Sequence, residues 1–325
     1  MLIHIDKDSN LSVKTIDDIV RCTSLSSLLE VAGWPKPGNV HRTRDYPNTR
    51  FEHFLAAIAA IQPNFNNFCI RIKKILKIYE KKYSYIKLGR FFKDSAETMI
   101  EWQKGGNVIL GHILILAPLV ATTVLCLNLN KVRLCDFKNI LKKIINDTTV
   151  QDTIDLYESI RISNVGGLGK IEKYDINDKN AINQLQNDKI TLKKIFEFSQ
   201  TNDTISKEYA SGFNIIINEG LPYFIDTVNK TNNINIATVN TFLFILSKYP
   251  DTLIIKKSNY NNANLVSIKA KEILDYDGLM SSKGKQLIEN LDDYLYKENG
   301  KLNPGTTADL IVGVLFCALI FGLRF

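Results

Sequence analysis

Apolar residues along this chain recur at intervals of three and four and almost nowhere alternate, the pattern of helix faces rather than strands. Ile16, Ile19, Val20, Leu25, Leu28 and Leu29 form a first stripe, closed by Gly33 and the prolines after it. A loop over 34–50 holds Pro35, Pro37 and Pro47, and a helix resumes over 51–61. The spacing predicts further helices over 65–82, 90–104, 136–146, 151–161, 180–199, 203–218, 235–248, 262–275 and 281–297. The run Val108–Leu127 is apolar nearly throughout and is read as a buried central helix. A last helix is expected from Thr306, where Thr306-x-x-Asp309 has capping-box spacing with Asp in the place of Glu or Gln. No repeat or disordered linker divides the 325 residues. The reading is therefore all-α: one compact multi-helix domain over 1–325, in which the more polar 128–200 is a peripheral helical insertion.

Composition sharpens this in three places. A hydrophobic share of 45% with 23% charged residues belongs to a globular chain. The net charge of +7 favours anionic partners, but no aromatic-interleaved basic motif accompanies the lysines, so nucleic acid is not an expected partner. A membrane span needs roughly 20 apolar residues; Leu310–Leu323 is too short, and Val108–Leu127 is interrupted by Gly111, His112 and Pro118. Five scattered cysteines without CxxC spacing fit a reducing cytoplasmic setting, and the N-terminus lacks the basic and apolar regions of a secretory signal.

Two stretches carry the most chemistry. Pro35-Lys36-Pro37-Gly38-Asn39-Val40-His41-Arg42 and Leu302-Asn303-Pro304-Gly305-Thr306-Thr307-Ala308-Asp309-Leu310 are each a Pro-Gly turn set against an apolar run. Proline fixes φ and glycine relaxes it, so such corners hold polar side chains in one geometry. Both corners at one cleft would make a polyanion site; corners on opposite sides of the molecule would exclude it. Other motifs fail. Gly169-Lys170 lacks the first glycine and the Ser/Thr of a P-loop, and no HExxH or GxSxG occurs. Asp17-Asp18 and Asp292-Asp293 lack the third acid of the aspartate-rich prenyl-transfer motif and are read as solvated helix faces.

The remaining segments resemble the triphosphoribosyl-dephospho-CoA synthase family from about Leu28 to the C-terminus. Its Lys-Pro-Gly-Leu-Val-Asp-Arg is met by Lys36–Arg42, its Asn-Thr-His-Lys-Gly by Asn107–Gly111, its Asp-Thr-Asn by Asp251-Thr252-Leu253, and its Pro-Gly-Gly-Ser-Ala-Asp-Leu by Pro304–Leu310. His41 replaces an acid, Ile109 and Leu110 a polar pair, and Leu253 an Asn, which resembles a divergent branch found in archaea and methylotrophs.

The resemblance implies transfer of the triphosphoribosyl group of ATP to the ribose 2′-hydroxyl of dephospho-CoA, or a related acceptor, with release of adenine. ATP would be co-substrate and Mg²⁺ its metal. Cleavage at C1′ calls for a stabilised oxocarbenium-like centre, an acid for adenine and cations for phosphate. On that basis Lys36, Arg42 and Lys170 are expected on phosphate oxygens, and Glu52, His41 and Asp309 at the chemistry. Glu52, Asp251 and Asp309 are the expected metal ligands. Gly38, Asn107, Gly111, Asp251, Thr252, Gly305 and Thr306 are expected to complete the nucleotide site. His53 and His112 are read as packed core rings. The alternatives are an ATP-using transferase of a methanopterin- or methanofuran-type pathway, or a non-catalytic helical membrane or scaffold protein. Homo-oligomer formation is left open.

Overall fold

The computed structural model describes residues 3–76, 82–165 and 173–325, and all regular structure within them is helical. The helices are α1 (Ile16–Ala32), α2 (Phe51–Leu76), α3 (Leu88–Trp102), α4 (Leu110–Asn128) and α5 (Leu134–Asn146). Then come α6 (Val150–Ile162), α7 (Ala181–Asn187), α8 (Leu192–Ser199), α9 (Thr204–Ser211) and α10 (Leu221–Thr231). The last five are α11 (Ile234–Lys248), α12 (Thr252–Lys257), α13 (Tyr260–Asp275), α14 (Ser282–Lys297) and α15 (Gly305–Ile320).

A helix that is apolar all round has no face to show to water and must be enclosed. Among the described residues two such helices, α4 and α15, pack against each other at the centre. The 19 residues of α4 are long and apolar enough to cross a membrane, yet 89% of their most apolar window is buried inside the protein. Around this pair, α1, α2, α3 and α5 lie against α4, while α1, α10, α11 and α12 lie against α15. Outside them, α13 packs on α11 and α14 on α13. In the 128–200 segment, α5 sits on α4 and α6 on α3, with Phe137 and Leu141 fully buried.

Three boundaries differ from the spacing. The helices expected over 51–61 and 65–82 are one continuous α2 with Pro63 inside it as far as Leu76. An interior proline costs about 3 kcal/mol. Ile58, Ile61, Phe65 and Phe68 are buried on both sides of it, and each such side chain contributes about 1.5–3 kcal/mol, so burial wins. The span 180–199 divides into α7 and α8, because Lys189 takes a left-handed conformation and Thr191 caps a new helix. The span 203–218 breaks after Ser211, where Gly212 and Phe213 both have positive φ. A π-helical turn over Ile215–Gly220 then leads into α10, a helix the spacing missed.

Candidate active site

The first Pro-Gly corner is held by α14. Asp292 is buried and accepts from the Gly38 amide at 2.9 Å; its other oxygen lies 3.3 Å from His41 Nε2 and 2.9 Å from Arg44. Arg44 also reaches Asp293 at 2.7 Å. Tyr46 donates to the Gly38 carbonyl and stacks on Tyr296. Asp292 is therefore the loop's anchor and not the solvated acid its sequence context implies. Gly38 has φ +72°, and a Cβ there would stand 3.0 Å from Pro304 and 2.9 Å from Leu295. Only glycine fits this close approach, and through it the two corners touch.

The second corner is capped from another helix. Asp251 begins α12, and one oxygen accepts from the amides of Leu253 and Ile254. The other oxygen accepts from the Thr307 amide at 2.7 Å and its hydroxyl at 2.8 Å. The capping box expected at Thr306 and Asp309 does not form: α15 starts at Gly305, which puts Thr306 inside the first turn. Thr306 instead accepts from the Thr252 hydroxyl at 3.3 Å. Freed from capping, the Asp309 carboxylate lies against Gly111 on α4, where a Cβ would overlap it.

Between the corners and the start of α4 lies a cavity of about 590 Å³, a size typical of small-molecule sites. Lys36, Asn107, Gly111, Gly305 and Asp309 line it as the sequence led us to expect, and Glu30, His112, Lys257 and Asn303 line it as well. Glu30, Lys36 and His112 are each no more than 2% exposed. The Lys36 ammonium pairs with Glu30 Oε1 and donates to the Glu30 carbonyl at 2.7 Å. His112 Nε2 lies 3.3 Å from Glu30 Oε2 and 3.6 Å from Asp309 Oδ1.

The Glu30 and Asp309 carboxyls are pushed in opposite directions. Burial opposes ionisation of Glu30, but the Lys36 ammonium and His112 hold it below the usual carboxylate range. Asp309 is raised well above that range, first by burial and then by the Glu30 and Asp251 charges. Two acids driven apart in this way can do two different jobs, one as a fixed charge and one as a proton donor.

Two sources of positive potential face the same space. At the α4 N-terminus Asn107 Oδ1 accepts from the Leu110 amide at 3.1 Å, while the Gly111 and His112 amides have no acceptor among the described residues. Lys257 donates to the Gly300 carbonyl at 3.4 Å and forms no ion pair among the described residues.

Other expected residues point elsewhere. Arg42 donates to the Ala32 carbonyl at 2.6 Å and to Asn235 at 3.2 Å, away from the cavity. His41 is locked behind the loop by Asp292. Glu52 is exposed and outside the lining, and Asp251 and Thr252 lie buried behind α15. His53 accepts from the Arg50 amide and packs on Gly105. Lys170 and its glycines lie outside the described residues. The expected metal ligands Glu52, Asp251 and Asp309 do not converge, and no cluster of three metal-binding side chains occurs among the described residues. A resident metal does not fit this set.

Glu30 and Lys257 were missed. The signal for Glu30 was an acid in register with Val20, Thr23 and Ser27, in the last turn of α1 where the helix dipole disfavours it. Lys257 carried no signal.

The fold and site define an all-helical enzyme class in which a buried ionic chain opens on a polar, nucleotide-sized cavity. Residues 16–324 match the family model for ATP:dephospho-CoA triphosphoribosyl transferase, and the chain belongs to that family. It is 27% identical over 109 residues to a 2-(5″-triphosphoribosyl)-3′-dephosphocoenzyme-A synthase of Klebsiella pneumoniae, spanning 34% of this chain and 35% of that protein. It is 26% identical over 110 residues to an Acinetobacter calcoaceticus protein assigned to the same synthase, spanning 34% and 37%. These alignments thus span about a third of the length of the curated relatives. A crystal structure from Archaeoglobus fulgidus, described as a triphosphoribosyl-dephospho-CoA synthase, shares the fold with a TM-score of 0.60 and 22% identity. The match covers 83% of this chain and 100% of that one.

Proposed function

We propose that the protein transfers the triphosphoribosyl group of ATP to a ribose hydroxyl of dephospho-CoA, or of a closely related acceptor, and releases adenine. The observation that carries this reading is the position of Asp309. It is an acid biased toward its protonated form, it faces the cavity where both Pro-Gly corners meet, and the chain belongs to a family of triphosphoribosyl transferases. As the C1′–N bond breaks, its electron pair leaves with adenine, and the Asp309 proton goes to the base. The acceptor oxygen bonds to C1′, and over one turnover its released proton restores Asp309. The ionised Glu30 carboxylate stands one contact behind, its oxygens beside Lys36 and His112.

The triphosphate would meet the free amides at the start of α4 and the Lys257 ammonium. This replaces the Arg42 assignment, since that guanidinium faces Ala32 and Asn235. Mg²⁺ would enter with the nucleotide as part of the substrate. The five unpaired thiols support placement in the cytoplasm. The test is to incubate the protein with ATP, Mg²⁺ and dephospho-CoA and follow free adenine by chromatography. Adenine that appears only with all components supports the proposal; ADP or AMP in its place overturns it.

A further inference from the structure

We propose that Lys36 is not a phosphate ligand but the inner anchor of a positioning chain, Lys36–Glu30–His112, that fixes Asp309 at the reacting end of the cavity. This deepens the reading above and rests on it. The sequence makes Lys36 look like a turn lysine free to meet phosphate. In the fold its ammonium is spent inward, on one carboxylate oxygen of Glu30 and on the Glu30 carbonyl. Two of its three N–H groups are committed there, and the residue is only 1% exposed. A buried pair whose acid has its second oxygen beside a ring nitrogen is a means of fixing that ring. Glu30 Oε2 lies 3.3 Å from His112 Nε2, and the same nitrogen is 3.6 Å from Asp309 Oδ1.

Four separate elements supply these contacts. Glu30 lies at the end of α1, Lys36 on the loop that carries the first corner, His112 in the first turn of α4, and Asp309 near the start of α15. One line of contacts therefore ties the loop to both central helices. Any shift of the Lys36 corner is passed to the acid through Glu30 and His112. Lys36 and Glu30 are positioning residues in this account, and Asp309 alone meets the reacting atoms.

The test separates positioning from phosphate binding. The double variant Lys36→Met/Glu30→Gln removes both charges together and leaves no unpaired buried ion. ATP affinity is measured by titration calorimetry without acceptor, and adenine release at saturating ATP. Positioning predicts a loss of about a hundredfold in kcat, the scale of one acid–base contribution, with ATP affinity changed less than about threefold. If ATP binding weakens tenfold or more while kcat at saturation holds, Lys36 binds phosphate and the inference fails. A second pair of variants decides the matter where the double variant does not fold. His112→Gln keeps a donor near the Nε2 position, and His112→Leu removes it from a position on the apolar α4. Activity retained in Gln and lost in Leu, with equal ATP binding, supports the chain; equal activity in both overturns it. Wild-type protein that binds ATP without releasing adenine overturns the transferase reading itself and this inference with it, a result distinct from all the others.

Discussion

Gly111→Ala should separate catalysis from stability. A Cβ at position 111 would overlap the Asp309 carboxylate directly. That carboxylate is the free end of a side chain, so it can swing aside, although doing so takes it from its place 3.6 Å from His112 Nε2. Alanine for glycine in a helix gains about 0.5–1 kcal/mol, which offsets much of the cost of displacing one partly exposed side chain. The net change in stability should stay within about 1 kcal/mol, which moves Tm by only a few degrees in a protein of this size. A displacement of about 1 Å at a reacting group costs roughly a hundredfold in rate, equal to about 2.7 kcal/mol in the barrier. The assay is adenine release at saturating ATP alongside thermal unfolding. Gly89→Ala is the contrast. Its Cβ would stand 2.8 Å from the Asp152 carbonyl carbon, and a main chain cannot swing away. That variant should lose about 1–3 kcal/mol of stability while keeping its rate per folded molecule. Gly111→Ala with the wild-type rate would refute the placement of Asp309.

Three further predictions follow from buried charge. Lys36→Ala or Glu30→Ala alone should cost about 3–5 kcal/mol by stranding the other ion, and the double variant should cost less than the sum; denaturant unfolding of all three checks this. Asp292→Ala should destabilise by a similar amount, about 3–5 kcal/mol, because it strips partners from Gly38, His41 and Arg44. Asp293→Ala, at an exposed site, should cost less than about 1 kcal/mol in the same unfolding experiment. Glu208 is raised to about 7, chiefly by burial, against the opposing effect of the Ile216 and Ile215 amides it accepts from. A carboxyl raised on folding holds its proton more tightly in the native state. Its contribution is therefore fully present below the unfolded value near 4.5 and is lost as pH rises through about 7. Wild-type stability should fall relative to Glu208→Gln between these values, by at most about 3 kcal/mol. A constant difference in Tm between the two proteins across that range would refute it.

The all-helical class and the central helix were legible because they depend on spacing and run length, which are local properties. Breaks at Lys189 and at Gly212-Phe213 were not, since non-glycine residues with positive φ are selected by packing outside their own segment. The same division runs through the site. Motif residues Lys36, Gly111 and Asp309 do line one cavity. Their neighbours in sequence, Arg42 and His41, do not, because α14 and the end of α1 claim them. A Pro-Gly corner fixes where a loop turns, whereas the side of the loop that meets the cavity is set by Asp292, more than 250 residues away.

Lys36 and Thr306 both take partners other than those their sequence suggested, for one physical cause. Each polar group was assigned the partner nearest in sequence or in the ligand: solvent and phosphate for Lys36, the Asp309 side chain for Thr306. In a core formed by two helices that are apolar all round, a charged group has no water to fall back on, so partners are drawn from whichever element can reach it. Asp251 thus caps a helix 56 positions away in sequence, and Thr306 turns to Thr252. That substitution leaves Asp309 uncapped and unbonded to its own helix, and so available to face the cavity. The displaced cap and the candidate catalytic acid are two consequences of the same packing. Asp251→Asn should bear this out: with one acceptor oxygen lost, the Thr307 amide competes for Asp309, and adenine release should fall more steeply than stability. If stability falls and the rate per folded molecule does not, the two are unlinked.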